Sequence, residues 1–201
     1  LGVLLLSLAG RWYGTVVPDE FTMRHYIEAL GNGLVVPSIQ NSLLYAGCAT
    51  LVALVIGLGV AWVVVRSDLK FRGVLDAVVM LPLAVPGLVM AFGYLALSQE
   101  GKPFYFLVGA GGSPFMLLVI AYAIRRLPYV VRSAVAGLQQ SNPMLEDAAK
   151  SLGASPARVM RRVAIPLIGA NLAAGCILAF AFAMLEVSDS LILAQQTQHY
   201  P

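Results

Sequence analysis

The sequence predicts an all-α protein built as a polytopic bundle of membrane helices. Hydrophobic residues make up 59% of the 201 residues and charged residues only 11%, with a mean hydropathy of +0.82. A soluble domain of this size needs more polar surface than that. The apolar residues also gather into runs long enough to cross a bilayer. The net charge of +3 is small and gives no support for nucleic-acid binding.

The first 40 residues hold no complete span. Leu1–Ala9 is too short to cross a membrane and lacks a basic leader, so we expect the tail of a helix rather than a signal peptide. Met23, Tyr26 and Leu30 then line one face of a short helix, which either lies along the membrane surface or simply connects. The chain starts in mid-run and stops after a polar stretch, so we expect one domain over 1–201, truncated at both ends.

The first full span is predicted at Leu43–Val65, a run of about 23 residues without a charge. Asn41 and Ser42 precede it and are predicted to cap the helix. A short basic turn, residues 66–72, follows the run and is predicted to lie outside the bilayer.

The second span is predicted at Val74–Leu97 and contains the sequence LPLAVPG. Pro82, Pro86 and Gly87 fall in its interior, where each proline removes a helical hydrogen bond. Such a break is tolerated where the backbone is buried in protein or faces water. The three residues therefore mark either a structural kink or part of a substrate pathway.

Two more spans are predicted in the second half of the chain. Phe115–Val131 is expected to leave the membrane near Arg125 and to continue as a helix through Leu138. Leu167–Val187 is the fourth, with Gly175 among small residues suited to close helix packing.

Two acidic residues, Glu186 and Asp189, follow the small residues of the fourth span and are predicted near the outer boundary. Glu186 can line the outer mouth of a pathway, meet an external partner, or bond locally at the helix end.

No catalytic, metal or cofactor site is predicted. Cys48 and Cys176 lie far apart in apolar runs and are expected as packing residues. Gly109–Gly112 lacks the Gly-Lys-Ser/Thr that completes a phosphate loop. His25 and His199 lie near opposite ends of the chain, so an intramembrane enzyme has no cluster of catalytic groups.

The positive residues predict the orientation. With sides alternating span by span, ten Lys and Arg residues fall on one face and Arg11, Arg24 and Lys102 on the other. Cytoplasmic loops carry the excess of positive charge, so the ten, with residues 141–166, are predicted in the cytoplasm. The ten are Arg66, Lys70, Arg72, Arg125, Arg126, Arg132, Lys150, Arg158, Arg161 and Arg162.

The polar stretch Ser141–Pro166 is predicted to hold two short helices outside the bilayer. Asn142 and Pro143 supply a cap and a first helical residue, and Glu146 suits the positive end of the helix dipole. Gly153 is predicted to end the first helix in a left-handed conformation, and Pro166 to end the second.

This stretch resembles the EAA loop of binding-protein-dependent (type I, MetI-like) ABC importer permeases, whose pattern is E-A-A-x3-G-x9-I-x-L-P. Asp147, Ala148, Ala149, Gly153 and Pro166 match it at every spacing. Asp147 replaces the family's Glu, and Val163 and Ile165 replace Ile and Leu. The break at LPLAVPG and the stretch Arg125–Arg132 are similar to the ferric-ion branch, whose relatives carry phosphonates, thiamine or polyamines.

The resemblance implies a permease core whose EAA helices dock on a cytoplasmic ABC ATPase dimer. It further implies a second permease copy or fused half, a periplasmic binding protein, and residence in the bacterial inner membrane. Glu146, Asp147, Ala148, Ala149, Gly153 and Pro166 are the expected docking residues. Pro82, Pro86, Gly87 and Glu186 are candidates for the pathway. The rival class is an ion-coupled secondary transporter, which would carry ionisable residues within its spans.

Overall fold

The computed structural model describes residues 2–14, 16, 18, 20–108 and 113–201, and it is helical almost throughout. The prediction of an all-α helix bundle is confirmed. The glycine-rich stretch 109–112 lies outside the described residues. The helices are α1 Gly2–Leu8, α2 Arg24–Gly31, α3 Val35–Arg66, α4 Arg72–Ala84, α5 Gly87–Leu97, α6 Phe115–Gln140, α7 Pro143–Ser151, α8 Pro156–Val159, α9 Ile165–Leu167, α10 Gly169–Met184 and α11 Ser188–Leu193. Two 3-10 turns, Tyr105–Leu107 and Thr197–His199, and a π-helical segment, Met160–Ala164, complete the helical elements.

A small hairpin near the beginning of the chain was not predicted. Strand β1, Ala9–Arg11, pairs antiparallel with β2, Glu20–Phe21. The imidazole Nε2 of His25 lies 3.0 Å from the carbonyl oxygen of Ala9 and joins α2 to the hairpin. This histidine therefore has a structural contact at the edge of the bundle.

The core forms where α3, α6 and α10 pack together. Tyr45 meets Phe115 at 5.6 Å between ring centroids, while further along Gly57 faces Val130. Helices α3 and α6 therefore run parallel. Small buried residues on one face of α3, at 46, 49, 53 and 61, allow this close approach.

Helix α10 runs back against α6. A β-carbon at Gly175 would lie 2.8 Å from Cβ of Ser133, so only glycine permits this separation of the two helices. The prediction that Gly175 serves close packing is confirmed.

The predicted spans need three corrections. Helix α3 begins at Val35 rather than Leu43, so Asn41 and Ser42 lie inside it and do not cap it. The reason is tertiary: the Asn41 amide donates to the carbonyl oxygens of Gln198 and Tyr200, at 3.0 and 2.9 Å.

The run Val74–Leu97 is not one straight helix, because it divides into α4 and α5, which are bent by 103° at the break. Leu167–Val187 also divides. Helix α10 ends at Met184 and α11 begins at Ser188, and α10 meets the preceding helical segment at 77°. With 16 residues, α10 is about 24 Å long, shorter than the roughly 30 Å hydrocarbon layer.

Helix α6 continues past Arg125 as a helix, as predicted. It continues unbroken to Gln140, with Arg125 and Pro128 buried along its length. By length and composition, α3 alone among the described helices could cross a membrane as one segment. There would be three crossings if each bent pair counts as one.

Candidate functional site

Helix α7 has the start and stop that its sequence predicts. The Asn142 side chain accepts a 3.0 Å hydrogen bond from the backbone N–H of Met144, and Pro143 is the first helical residue. Gly153 has a φ of +83°, the left-handed conformation that ends many helices. Its N–H donates to the carbonyl of Lys150 at 2.9 Å. The structure of residues 141–153 is therefore determined locally.

An apolar face of α7 is left uncovered by the other residues that the structure describes. Met144 and Leu145 are exposed on this helix, and Leu152 just beyond its end is 90% exposed. Ala148 is also exposed and presents little bulk beside them. A contiguous apolar patch on a helix with an otherwise polar surface is typical of an interaction site.

Asp147 points away from the bundle on the polar side of α7. Its carboxylate accepts a 2.9 Å hydrogen bond from the Lys150 ammonium group, and both side chains are at least half exposed. Its shorter side chain therefore stays at the surface, where this local pair competes with any contact to another protein.

Glu146 differs from the expectation of a docking residue, because it faces inward. It is 1% exposed, and the guanidinium Nε of Arg66 donates to both of its carboxylate oxygens, at 3.0 and 3.1 Å. This pairing was not predicted, because Arg66 lies 80 residues from Glu146 in the chain. Glu146 is therefore not part of the exposed apolar face of α7.

Pro166 does not end the second helical segment. The chain passes from α8 through the π-helical Met160–Ala164 into α9, and bends only beyond Leu167. Pro166 has no N–H to donate to the carbonyl four residues earlier. The neighbouring Ile165 N–H instead bonds the carbonyl of Met160, five residues back. Arg158, Arg161 and Arg162 remain exposed along this segment.

The break between α4 and α5 lies against α6. Pro86 precedes the first turn of α5, and a β-carbon added at Gly87 would lie 2.8 Å from Nη1 of Arg125 and 2.7 Å from Oγ of Ser188. A side chain at position 87 would therefore force the Arg125 guanidinium group and the Ser188 hydroxyl group to shift. Pro82, by contrast, lies inside α4, where the helix continues to Ala84.

A buried ionic cluster adjoins this break. Nε of Arg125 donates to Oε2 of Glu186 at 3.2 Å and lies 3.9 Å from Oδ2 of Asp189. Arg126 donates to the same Glu186 oxygen. The other Glu186 oxygen accepts from the Ser188 N–H at 3.1 Å, so it caps the start of α11. All four charged side chains are at most 12% exposed.

The cluster corrects two predictions. Glu186 and Asp189 are not at an outer boundary apart from other charges, because they touch arginines about fifteen ångströms along α6 from its beginning. Arg125 and Arg126 consequently cannot be counted on the opposite, cytoplasmic face. Eight positive residues then remain against three, and the bias keeps its direction. The sequence does contain a signal for this cluster: two arginines lie within one apolar run, and two acidic residues lie at the end of another. Charged residues within membrane helices usually pair with one another.

Hydrogen bonding within the cluster is incomplete. In the described part of the chain, Nη1 of Arg125, Nε of Arg126 and both carboxylate oxygens of Asp189 are buried without a hydrogen-bond partner. The buried hydroxyl of Tyr122 also lacks one. Incomplete pairing of buried charges contributes little to stability, which favours a functional reason for this arrangement.

A cavity of about 590 Å³ opens beside the cluster. Its lining includes Glu186, Ser190 and Tyr122 together with Ser38 and Ser42 of α3. Its lining thus combines hydroxyl groups and one carboxylate with apolar side chains. Two of the predicted pathway residues, Gly87 and Glu186, lie next to Arg125. Pro82 lies inside α4 and is not part of this cluster.

Comparison with known proteins places these features in a family. Residues 53–197 match the family model described as binding-protein-dependent transport system inner membrane component. A putative ferric transport system permease protein of Haemophilus influenzae is 33% identical over 94% of this chain and 32% of its own length. The ferric transport system permease protein of Actinobacillus pleuropneumoniae is 33% identical over 88% of this chain and 25% of its own length. The chain therefore spans a third or less of these two relatives.

Two further comparisons widen the range. The molybdate/tungstate transport system permease protein of Methanocaldococcus jannaschii is 30% identical, over 83% of this chain and 67% of its own length. A bacterial ABC transporter involved in the import of alginate has a chain of the same fold. Its TM-score is 0.67 at 16% identity, covering 98% of this chain and 71% of that one.

Proposed function

The chain belongs to the family of binding-protein-dependent transport system inner membrane components, and from this premise we propose that it forms a permease core of an ATP-driven importer. The family consists of transport subunits rather than enzymes, so ATP hydrolysis is assigned to a separate partner. The core would supply the substrate path and the contact to that partner.

One observation carries the proposal: α7 presents an exposed apolar face at the polar end of the bundle. Met144, Leu145 and Leu152 are exposed there, and binding of a partner would remove these apolar side chains from water. Their helix follows α6, the central helix of the core, after only two residues. A partner that moved α7 would therefore act close to the core.

The docking partner we propose is a cytoplasmic ABC ATPase dimer. Ala148 and Ala149 allow close approach to its surface, Asp147 contributes a charge at the rim, and Gly153 sets the turn into α8. Pro166 acts further along, where the segment bends toward α10. The exposed Arg158, Arg161 and Arg162 suit lipid phosphates or acidic groups of the ATPase.

The cavity beside Glu186 is the proposed entrance to the substrate path. Pro86 and Gly87 form the break that brings α5 to this level, and Pro82 shapes the approach from α4. A second permease copy or a fused half would complete the path, and a periplasmic binding protein would deliver substrate. We therefore propose that the chain belongs to a multi-pass protein of the bacterial inner membrane.

For the substrate we propose ferric iron. Support comes from the two ferric permeases, which share 33% identity with this chain. Relatives named for molybdate/tungstate and for 2-aminoethylphosphonate make an oxyanion or phosphonate the alternative. Thiamine and polyamine permeases are further members of the alternative set that the sequence resemblance implies.

An ion-coupled secondary transporter is the second candidate, and one observation favours it. The buried charges of Arg125, Arg126, Glu186 and Asp189 are the kind of groups that such transporters use. The absence of charges from the predicted spans was an argument against this class of transporter. The buried charges remove that argument.

A single experiment separates the two candidates. The full-length permease, its ATPase and its binding protein are reconstituted in proteoliposomes, and uptake of radiolabelled ferric ion, molybdate and 2-aminoethylphosphonate is measured. The importer requires uptake that depends on enclosed ATP and persists when a protonophore removes the proton gradient. Uptake that needs the gradient and ignores ATP would contradict the proposal, and the labelled substrate taken up decides its cargo.

A further inference from the structure

Arg66, the last residue of α3, joins three helices through one guanidinium group. Its Nε donates to both carboxylate oxygens of Glu146 in α7. Its Nη2 donates to the carbonyl of Leu138 in the last turn of α6, at 2.8 Å, and to Oγ of Ser141 at 2.9 Å. The same Nη2 lies 2.9 Å from Glu146 Oε1. Bidentate charge-assisted bonds of this kind are strong and directional.

Glu146 is the sole buried residue of α7, all nine residues of which are described by the structure. The helix is otherwise at the surface or partly covered, and only Ser141 and Asn142 connect it to α6. Its attachments to the rest of the chain are therefore this short backbone link, one ionic contact to α3, and its packing on α8 and on the π-helical segment Met160–Ala164. Of these attachments, the ionic contact is the one that reaches α3 and α6 directly, so a load applied to the exposed face of α7 can pass to both helices through it.

We propose that Arg66 and Glu146 are positioning residues that couple α7 to the core, passing its movement to α3 and α6 together. This inference rests on the proposed function, because it assigns the direction in which ATP-driven movement leaves the docking helix. A carboxylate in the first turn of α7 also suits the helix dipole, which helps to hold the ionised pair. Neither residue needs to touch ATP or substrate.

A different result is expected if Arg66 and Glu146 only stabilise the fold. Removing one partner leaves a buried charge unpaired, whereas replacing both by apolar groups of similar size is often neutral. If the pair serves stability alone, the double variant Arg66→Met with Glu146→Leu therefore behaves like the unaltered protein. It does not restore a directional link between three helices.

The test uses the full-length permease purified with its ATPase and reconstituted with the binding protein. Three quantities are measured: ATPase retained on purification, thermal stability, and substrate taken up per ATP hydrolysed. The matched control is Arg24→Met with Glu28→Met, which removes an exposed ion pair on α2.

We expect the double variant to retain its ATPase and to lose at least about fivefold in uptake per ATP, the lower end of coupling between sites. The control keeps the original ratio. A double variant with an unchanged ratio would overturn the inference. If the double variant fails to assemble, Arg66→Lys decides instead, because lysine keeps the charge but not the fork: a lowered ratio supports the link, and an unchanged one overturns it.

The same experiment distinguishes a wrong proposed function from a wrong coupling role. In that case the unaltered chain neither retains an ATPase nor shows ATP-dependent uptake, and the inference falls with it. An unaltered chain that transports normally beside a double variant that also transports normally contradicts the coupling role alone.

Discussion

Arg125 and Glu186, 61 residues apart in the sequence, join α6 to the end of α10 through a 3.2 Å hydrogen bond. The bond lies where α5 begins after the break and where α11 begins after Met184. Two interruptions of helical structure thus meet at one ion pair. The breaks at Pro86 and at Leu185 are two sides of a single structural feature.

Gly87→Ala tests the close approach of Arg125 to the start of α5. The added methyl group would meet the guanidinium at 2.8 Å and Ser188 Oγ at 2.7 Å, so we expect a loss of stability of about 1–3 kcal/mol from overpacking. Thermal unfolding of the detergent-solubilised permease measures it. Gly93→Ala on the same helix has open space around its β-carbon and is the control; equal melting temperatures for the two variants would contradict the prediction.

Glu186→Gln and Asp189→Asn should differ in severity. Glu186 accepts from Arg125, Arg126 and the Ser188 N–H, whereas Asp189 approaches Arg125 only at 3.9 Å. We expect the glutamine variant to lose roughly 3–5 kcal/mol, as when a buried pair is broken, and the asparagine variant to lose less. Denaturation of the purified permease gives the order, and the reverse order would refute this account of the cluster.

Leu152→Asp should weaken ATPase binding without weakening the fold. The side chain is 90% exposed, so its replacement removes no packing inside the chain but places a charge on the proposed apolar docking face. We expect at least about tenfold weaker association, or 1.4 kcal/mol, with an unchanged melting temperature. Binding of the ATPase to the immobilised permease measures the association.

The control for that variant is Leu30→Asp on α2, which is also exposed but lies on another element. It should leave ATPase binding unaltered. Equal loss of binding in both variants would argue against α7 as the docking helix.

Gly153→Val should disturb the turn between α7 and α8 through backbone strain alone. No atom lies within 4 Å of an added β-carbon, but the φ of +83° disfavours any other residue by roughly 1–2 kcal/mol, and a β-branched one most of all. We expect reduced ATPase retention and reduced uptake. Gly73→Ala, at an equally open site with ordinary backbone angles, is the control, and a normal Gly153→Val permease would remove the turn from the mechanism.

Some features could be predicted because they depend on neighbours in the sequence. The cap at Asn142, the start at Pro143 and the left-handed turn at Gly153 all follow from local backbone chemistry, and the structure has each of them. The membrane class follows equally from composition. Pro86 likewise indicates a break before any coordinates are known, although not its angle of 103°.

Other features depend on residues far apart, which one sequence does not pair. Hydropathy alone treats Arg125 as the exit of a span, yet its charge is held inside the bundle by Glu186. Composition suits Glu146 to a docking surface, yet Arg66 draws it inward. The sequence by itself determined the helical membrane class and the start and stop of α7, because hydrophobic burial and capping act along the chain. Only the tertiary structure decided which charges are buried, because an ion pair needs a partner whose position comes from packing.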